Sequence, residues 1–199
     1  MTRSGEGPRV GILGGTLDPV HCGHIGAAVA VRDALGISSV LLLPSHVPPH
    51  RPHAPEASPF HRFAMAALAV NGIARLQASD DELRNAGPTY TADTLDRLRS
   101  RGLSPSQIFF ITGADAFAEI ATWHRYPEVL DLATFVVISR PGHDLARLRE
   151  RLPSLASRTR PTKLARPPTS ERPRVRDSSS RPTSKSSVCT RTRATFSLR

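Results

Sequence analysis

Gly14-Gly15-Thr16-Leu17-Asp18-Pro19-Val20-His21-Cys22-Gly23-His24 stands between two apolar segments, residues 10–13 and 25–35. The first is short, apolar throughout and closed by glycines, the pattern of a buried parallel strand. The second carries apolar residues at helical spacing and stops at Gly36, so it reads as a helix. The quoted stretch is therefore a glycine turn joining a strand to a helix N-terminus. Glycine lets the backbone come close to a ligand, and the first amides of a helix are unpaired and partly positive. His21 and His24 are three residues apart where the helix begins, so both side chains can share one face and reach one bound group. The pattern points to a phosphate.

Downstream the alternation continues. Residues 40–43 read as a second strand ending at Pro44. Residues 45–59, with five prolines and three histidines, read as a long exposed loop of the kind that more often serves function than connection alone. Residues 60–70 predict a helix with Phe63, Ala67 and Val70 inward, 76–78 a weak strand, and 91–101 a helix with Leu95 and Leu98 inward. Residues 108–111 and 135–138 are strong strands, with helices predicted over 114–121 and 128–132 between them. Strands alternating with helices predict right-handed crossovers, hence an α/β, Rossmann-like, doubly wound parallel sheet. Ligands of such sheets sit beyond the carboxyl ends of the strands. The glycine turn, the residues from Pro44, Thr112-Gly113 and Ser139-Arg140-Pro141-Gly142 are four such ends, expected to meet at one crevice.

The net charge of +10 is unevenly placed. Residues 1–143 hold 12 Arg and 13 acidic residues, whereas residues 144–199 hold 15 Lys or Arg and 4 acids. The excess marks a tail and does not make nucleic acid the expected partner of the folded part. From Pro153 onward Arg, Ser, Thr and Pro dominate and no apolar period survives, so residues 153–199 read as a disordered basic tail after a domain spanning 1–152. The two cysteines, Cys22 and Cys189, are isolated from each other and predict neither a disulfide nor a metal site. No signal-peptide core and no run of about 20 apolar residues is present, so the expected setting is the cytoplasm, without a membrane.

The glycine turn lacks the Gly-x-Gly-x-x-Gly of dinucleotide folds and the Gly-Lys-Ser/Thr of P-loops. It resembles instead the nucleotidyltransferase superfamily, whose mark is Gly-Gly-x-Phe-Asp-Pro-x-His-x-Gly-His, with Leu17 standing where phenylalanine is usual. Pro48-Pro49-His50-Arg51, Gly87-Pro88-Thr89-Tyr90-Thr91-Ala92-Asp93-Thr94-Leu95, Gly113-Ala114-Asp115-Ala116, Arg140-Pro141-Gly142 and Trp123 resemble nicotinate-nucleotide adenylyltransferase over roughly residues 9–143. The resemblance implies transfer of AMP from ATP to nicotinic acid mononucleotide, giving deamido-NAD and pyrophosphate. It implies catalytic His21 and His24, and ATP contacts from Gly14, Gly15, Thr16, Arg51, Gly113 and Asp115. It further implies acceptor contacts from Thr89, Tyr90, Thr91, Trp123 and Arg140, and Mg2+ carried with ATP, with no protein ligand named for it. A homo-oligomer is compatible with all of this. Asp18 reads either as part of the site or as a turn or cap residue.

The family's Ser-Ser-Thr-x-x-Arg helix, which binds ATP phosphates, has no counterpart here: Ser178-Ser179-Ser180-Arg181 runs straight into Pro182. An out-of-frame C-terminus, beginning near residues 144–160, accounts for both this gap and the change of composition. Two other readings stay open. One is a pantetheine-phosphate adenylyltransferase-like enzyme, which shares the histidine motif. The other is an inactive nucleotide-binding domain with a nucleic-acid-binding tail.

Overall fold

A computed structural model describes residues 7–49, 53–84, 87–139, 152, 155, 158–162 and 195–198. Its sheet has the order β3-β2-β1-β4-β5-β7-β6. Strands β1 (Val10–Gly15), β2 (Ser39–Pro44), β3 (Leu76–Ala78), β4 (Ile108–Gly113) and β5 (Thr134–Ile138) are parallel to one another. Helices α1 (Cys22–Leu35), α2 (Pro59–Val70), α3 (Thr91–Ser100) and the single-turn α4 (Ala114–Phe117) connect them. Leaving β1, the chain builds β2 and β3 on one side and then returns to build β4 and β5 on the other. The topological switch point therefore falls between the ends of β1 and β4.

Side chains on successive strand residues go to opposite faces, and the core divides accordingly. Leu13, Phe109, Ile111 and Val136 pack with Ile25, Ala28 and Val31 of α1 and with Ala66 and Val70 of α2. Ile12, Phe110, Phe135 and Val137 pack with Leu95 and Leu98 of α3 and Phe117 of α4. Both faces are thus covered, as a parallel sheet requires. Helix α1 closes at Gly36, whose φ of 61° is a left-handed cap that a side chain would resist.

Three details differ from the sequence reading. The inward stripe of α2 is Arg62, Ala66 and Val70, not Phe63, Ala67 and Val70. The arginine turns inward because four backbone carbonyls wait for it there. The helix expected over 114–121 is four α-helical residues followed by a 3-10 turn, Ile120–Thr122, and the one expected over 128–132 is a 3-10 turn, Glu128–Asp131. Segments this short cannot offset helix nucleation on their own and take their shape from packing. The few described residues of the tail include a buried Leu155 and two strands, β6 (Thr159–Thr162) and β7 (Thr195–Leu198), with β7 antiparallel to β5. The rest of residues 153–199 lies outside the described residues. Among the described residues no helix is long and apolar enough to cross a membrane.

Candidate active site

Helix α1 begins at the motif itself. His21 is extended (φ −142°, ψ 171°) and its Nδ1 accepts the Gly23 N–H at 3.1 Å, while its own N–H donates to His24 Nδ1 at 3.2 Å. The two rings lie 3.9 Å apart with a 32° tilt. This reciprocal pair is a capping box built from histidines, and it satisfies two of the donors that a helix start leaves open. It also sets the chemistry of the rings. With both Nδ1 atoms accepting, the proton of each neutral imidazole must sit on Nε2, which makes each Nε2–H a donor.

The turn before the helix is held from several sides. Gly15 has φ 154°, and Leu17, with φ 51° and its side chain 3% exposed, sits in a conformation that side-chain-bearing residues seldom adopt. A Cβ on Gly14 would come within 3.1 Å of the Phe110 ring. The Asp18 carboxylate accepts the N–H groups of Glu56 and Ala57 at 2.7 and 3.3 Å, so it ties the end of the long loop to the motif. Beneath lies Arg62, fully buried. Its guanidinium donates to the carbonyls of Thr16 and Ser45 at 2.7 Å each, and to those of His46 and Ala57 at 3.1 Å each.

An open pocket lies at the switch point. Gly14, Gly15 and Thr16 form its β1 side, and Phe110 and Thr112 its β4 side. Thr89, Tyr90 and Thr91, at the start of α3, line it together with Trp123 and His124. Trp123 stands edge-on to Phe110 (centroids 6.1 Å apart, 85°), and Tyr90 lies 4.5 Å from the His124 ring. The rim is locked, since Thr89 Oγ1 accepts the His46 N–H at 3.0 Å and the Thr89 N–H donates to the Val47 carbonyl at 2.9 Å. Ser45 also lines the pocket, and its buried Oγ has no hydrogen-bond partner among the described residues. An orphaned buried hydroxyl of this kind is costly unless a ligand or water completes it.

Glu82, on the 3-10 turn Asp81–Arg84, is the pocket's described carboxyl group and is 6% exposed. Its Oε1 accepts from Thr94 Oγ1 at 2.8 Å. Burial pushes it up to about 7, against the Thr94 hydrogen bond and the nearby Arg97 charge, with the Asp81 charge adding to the rise. Asp81 behaves oppositely. Burial opposes its ionisation, but the hydrogen bonds from Arg101 and Arg97 outweigh that and hold its carboxyl below the usual range.

The sequence profile of the cytidylyltransferase-like family matches residues 12–182. The chain belongs to that family. It is 43% identical over 156 residues to a probable nicotinate-nucleotide adenylyltransferase of Desulfatibacillum aliphaticivorans, covering 74% of this chain and 71% of the relative. A protein of the same description from Pseudomonas fluorescens is 41% identical over 138 residues, covering 69% of this chain and 64% of its own length. Among solved structures, the Plasmodium falciparum nicotinic acid mononucleotide adenylyltransferase complexed with NaAD superposes with a TM-score of 0.62. At 16% identity, over 73% of this chain and 71% of that one, it supports the fold. Within the cytidylyltransferase-like family, the chain falls among the nicotinate-nucleotide adenylyltransferases and is a nucleotidyltransferase by descent.

Of the residues that the resemblance singled out, this family member brings Gly14, Gly15, Thr16, Thr89, Tyr90, Thr91 and Trp123 to one pocket. His21 and His24 stand at the adjoining helix start. Gly113 ends β4 next to the lining residue Thr112, and Asp115 is an exposed residue of α4. Arg51 and Arg140 lie outside the described residues. Ser45, Glu82, Thr112, His124 and Arg62 were not singled out. For Arg62 a signal existed, because it is spaced i, i+4, i+8 with Ala66 and Val70. For Glu82 there was none, since nothing in Asp80-Asp81-Glu82 says which of the three turns inward.

Proposed function

We propose that the chain transfers the adenylyl group of ATP to nicotinic acid mononucleotide, forming deamido-NAD and releasing pyrophosphate. The observation that carries this reading is the pocket at the switch point. On one side it has a glycine turn opening a helix, and on the other an aromatic wall with hydroxyls, Trp123, Tyr90 and Thr91. The first suits a triphosphate and the second a flat pyridine ring with its sugar.

In the reaction a phosphate oxygen of the acceptor attacks the α-phosphorus of ATP in line. The bond from that phosphorus to the bridging oxygen breaks, and pyrophosphate leaves with the electron pair. No proton has to move, so catalysis reduces to positioning and charge stabilisation. His21 and His24, holding their protons on Nε2, donate to the phosphate oxygens, His24 nearest the α-phosphate. The amides of Gly14 and Gly15 and the Thr16 hydroxyl line the same anion site. Gly113 and Asp115 hold the adenosine, and Arg51 contacts the ATP phosphates. Thr89, Tyr90, Thr91 and Trp123 seat the acceptor, and Arg140 pairs with its negative groups.

The family points to a divalent cation with its nucleotide substrates, and we take it to be Mg2+ brought in on ATP. Among the described residues no three His, Cys, Asp or Glu side chains gather as a cage for one. No residue is therefore assigned to it and no step is drawn through it. Residues 153–199 we read as an out-of-frame replacement of the family's C-terminal segment, even though its described strands β6 and β7 extend the sheet beside β5. A Ser-Ser-Thr-x-x-Arg helix encoded in another frame of the coding DNA supports that reading, and its absence from every frame removes it.

Pyrophosphate release from ATP, followed with each mononucleotide in turn, tests the function. Release that depends on nicotinic acid mononucleotide is expected. Release that ignores it, or that needs pantetheine phosphate instead, overturns the proposal.

A further inference from the structure

Glu82 is a carboxyl group in a place where a carboxylate is poorly served. Its neighbour Asp81 takes the hydrogen bonds of both Arg97 and Arg101, and Glu82 is left with one hydroxyl, that of Thr94. Thr94 Oγ1 in turn accepts from Arg97 at 2.9 Å, so the arginine reaches Glu82 through the threonine. The other carboxyl oxygen, Oε2, has no hydrogen-bond partner among the described residues, and the residue lines the pocket. The titratable and charged groups around it are few. Asp81 shares its turn, Arg97 comes from α3 and Arg101 from that helix's C-cap, and Tyr90 and His124 line the pocket. Arg101 is spent on Asp81, and His46, on the loop after β2, is tied to Thr89 through its backbone.

A purely structural acid would be ion-paired or fully hydrogen-bonded, because a buried carboxyl with a spare oxygen is disfavoured. Oε2 is not among the fully buried atoms that lack a partner, so it keeps some accessible surface, and on a residue that lines the pocket that oxygen has a different use. Thr94 occupies Oε1, so a proton on Oε2 makes a single directed O–H donor beside Tyr90 and Thr91. An acceptor that is a mononucleotide of an aromatic acid carries negative charge on its phosphate and on its ring. Such an anion is favoured by an O–H donor and opposed by a carboxylate.

We propose that Glu82 is a specificity-determining residue of the acceptor pocket, engaging the anionic mononucleotide as a neutral acid that donates from Oε2. This rests on the acceptor reading of the pocket given above and adds to it a proton: binding the anion holds Glu82 protonated. Since burial already lifts the group to about 7, the coupling falls in the working range of pH. Glutamine at this position keeps a donor and removes the titration.

Isothermal titration of nicotinic acid mononucleotide into the full chain at pH 6, 7 and 8, each in two buffers of different ionisation heat, reads both affinity and protons. For the wild type, Kd rises by up to about tenfold per pH unit above pH 7, with up to one proton taken up per nucleotide at pH 8. For Glu82→Gln, Kd stays within about threefold of the wild-type pH 6 value, and proton uptake falls to what the nucleotide's own phosphate contributes. Circular dichroism establishes that the variant is folded. Two results overturn the proposal while leaving the acceptor reading intact. One is a wild type and Glu82→Gln that share one pH profile. The other is a folded Glu82→Gln that binds no nucleotide at pH 6. A wild type that binds no nicotinic acid mononucleotide at pH 6 sinks the acceptor reading, and the proposal with it.

Discussion

His21 and His24 each do two jobs with one ring. Their Nδ1 atoms cap α1, and the capping forces Nε2 to be the donor. The jobs separate by substitution. His21→Asn keeps a side-chain acceptor at the cap and is expected to leave the thermal midpoint nearly unchanged, while His21→Ala costs about 1 kcal/mol. Both should slow adenylyl transfer. Loss of the His24 donor should lower kcat by about 10²–10³, the scale of one donor to a developing charge; a fully active His24→Ala would remove the histidine from the mechanism. Glu82 makes a prediction about stability as well. Its folded pKa of about 7 exceeds the ordinary 4.5, so its contribution is fully present below about pH 4.5 and is lost as pH rises to about 7. Relative to Glu82→Gln, the wild type should lose roughly 3 kcal/mol between pH 4.5 and 8, read from urea midpoints of the two proteins.

Arg62 belongs to α2, yet its work is done on the segments around that helix. Thr16 lies in the glycine turn, Ser45 and His46 follow β2, and Ala57 ends the long loop. One guanidinium fork fits all four carbonyls because it offers five donors in a fixed plane. An ammonium cannot reproduce that geometry. Arg62→Lys should lose roughly 2 kcal/mol and Arg62→Met more, measured by urea unfolding, with KM for ATP rising in the lysine variant. An Arg62→Lys protein of wild-type stability and KM would show that the fork is dispensable. The elements near the site also mark where period-based reading ran out. The long strands and α1 follow their apolar patterns closely, whereas α4 and the 3-10 turns are too short to carry a period.

Taken whole, the molecule joins pocket and core through aromatic rings. Trp123 packs on Phe110 and Phe135, and Phe135 on Phe117, so the acceptor wall is continuous with the core on that face of the sheet. Trp123 is the single tryptophan of the chain. Its fluorescence should therefore change when nicotinic acid mononucleotide binds, and an unchanged emission at saturating nucleotide would take Trp123 out of the acceptor site. Phe135 is fully buried, and Phe135→Ala should cost about 3–5 kcal/mol by urea unfolding.

The α/β class, the parallel sheet and the anion-binding turn could be read without coordinates, because they rest on local periods and on one contiguous motif. Glycines, histidines and apolar runs act at short range, and short-range physics is written along the chain. What only the tertiary structure decided is which polar groups turn inward. Glu82 rather than Asp80 or Asp81 lines the pocket, Arg62 rather than Phe63 faces the sheet, and Ser45 is left with an unpartnered hydroxyl. The first two depend on distant partners, Thr94 for Glu82 at 12 residues and Thr16 for Arg62 at 46. A buried polar group is specified by the hydrogen bonds that satisfy it, and those exist once the segments have been brought together.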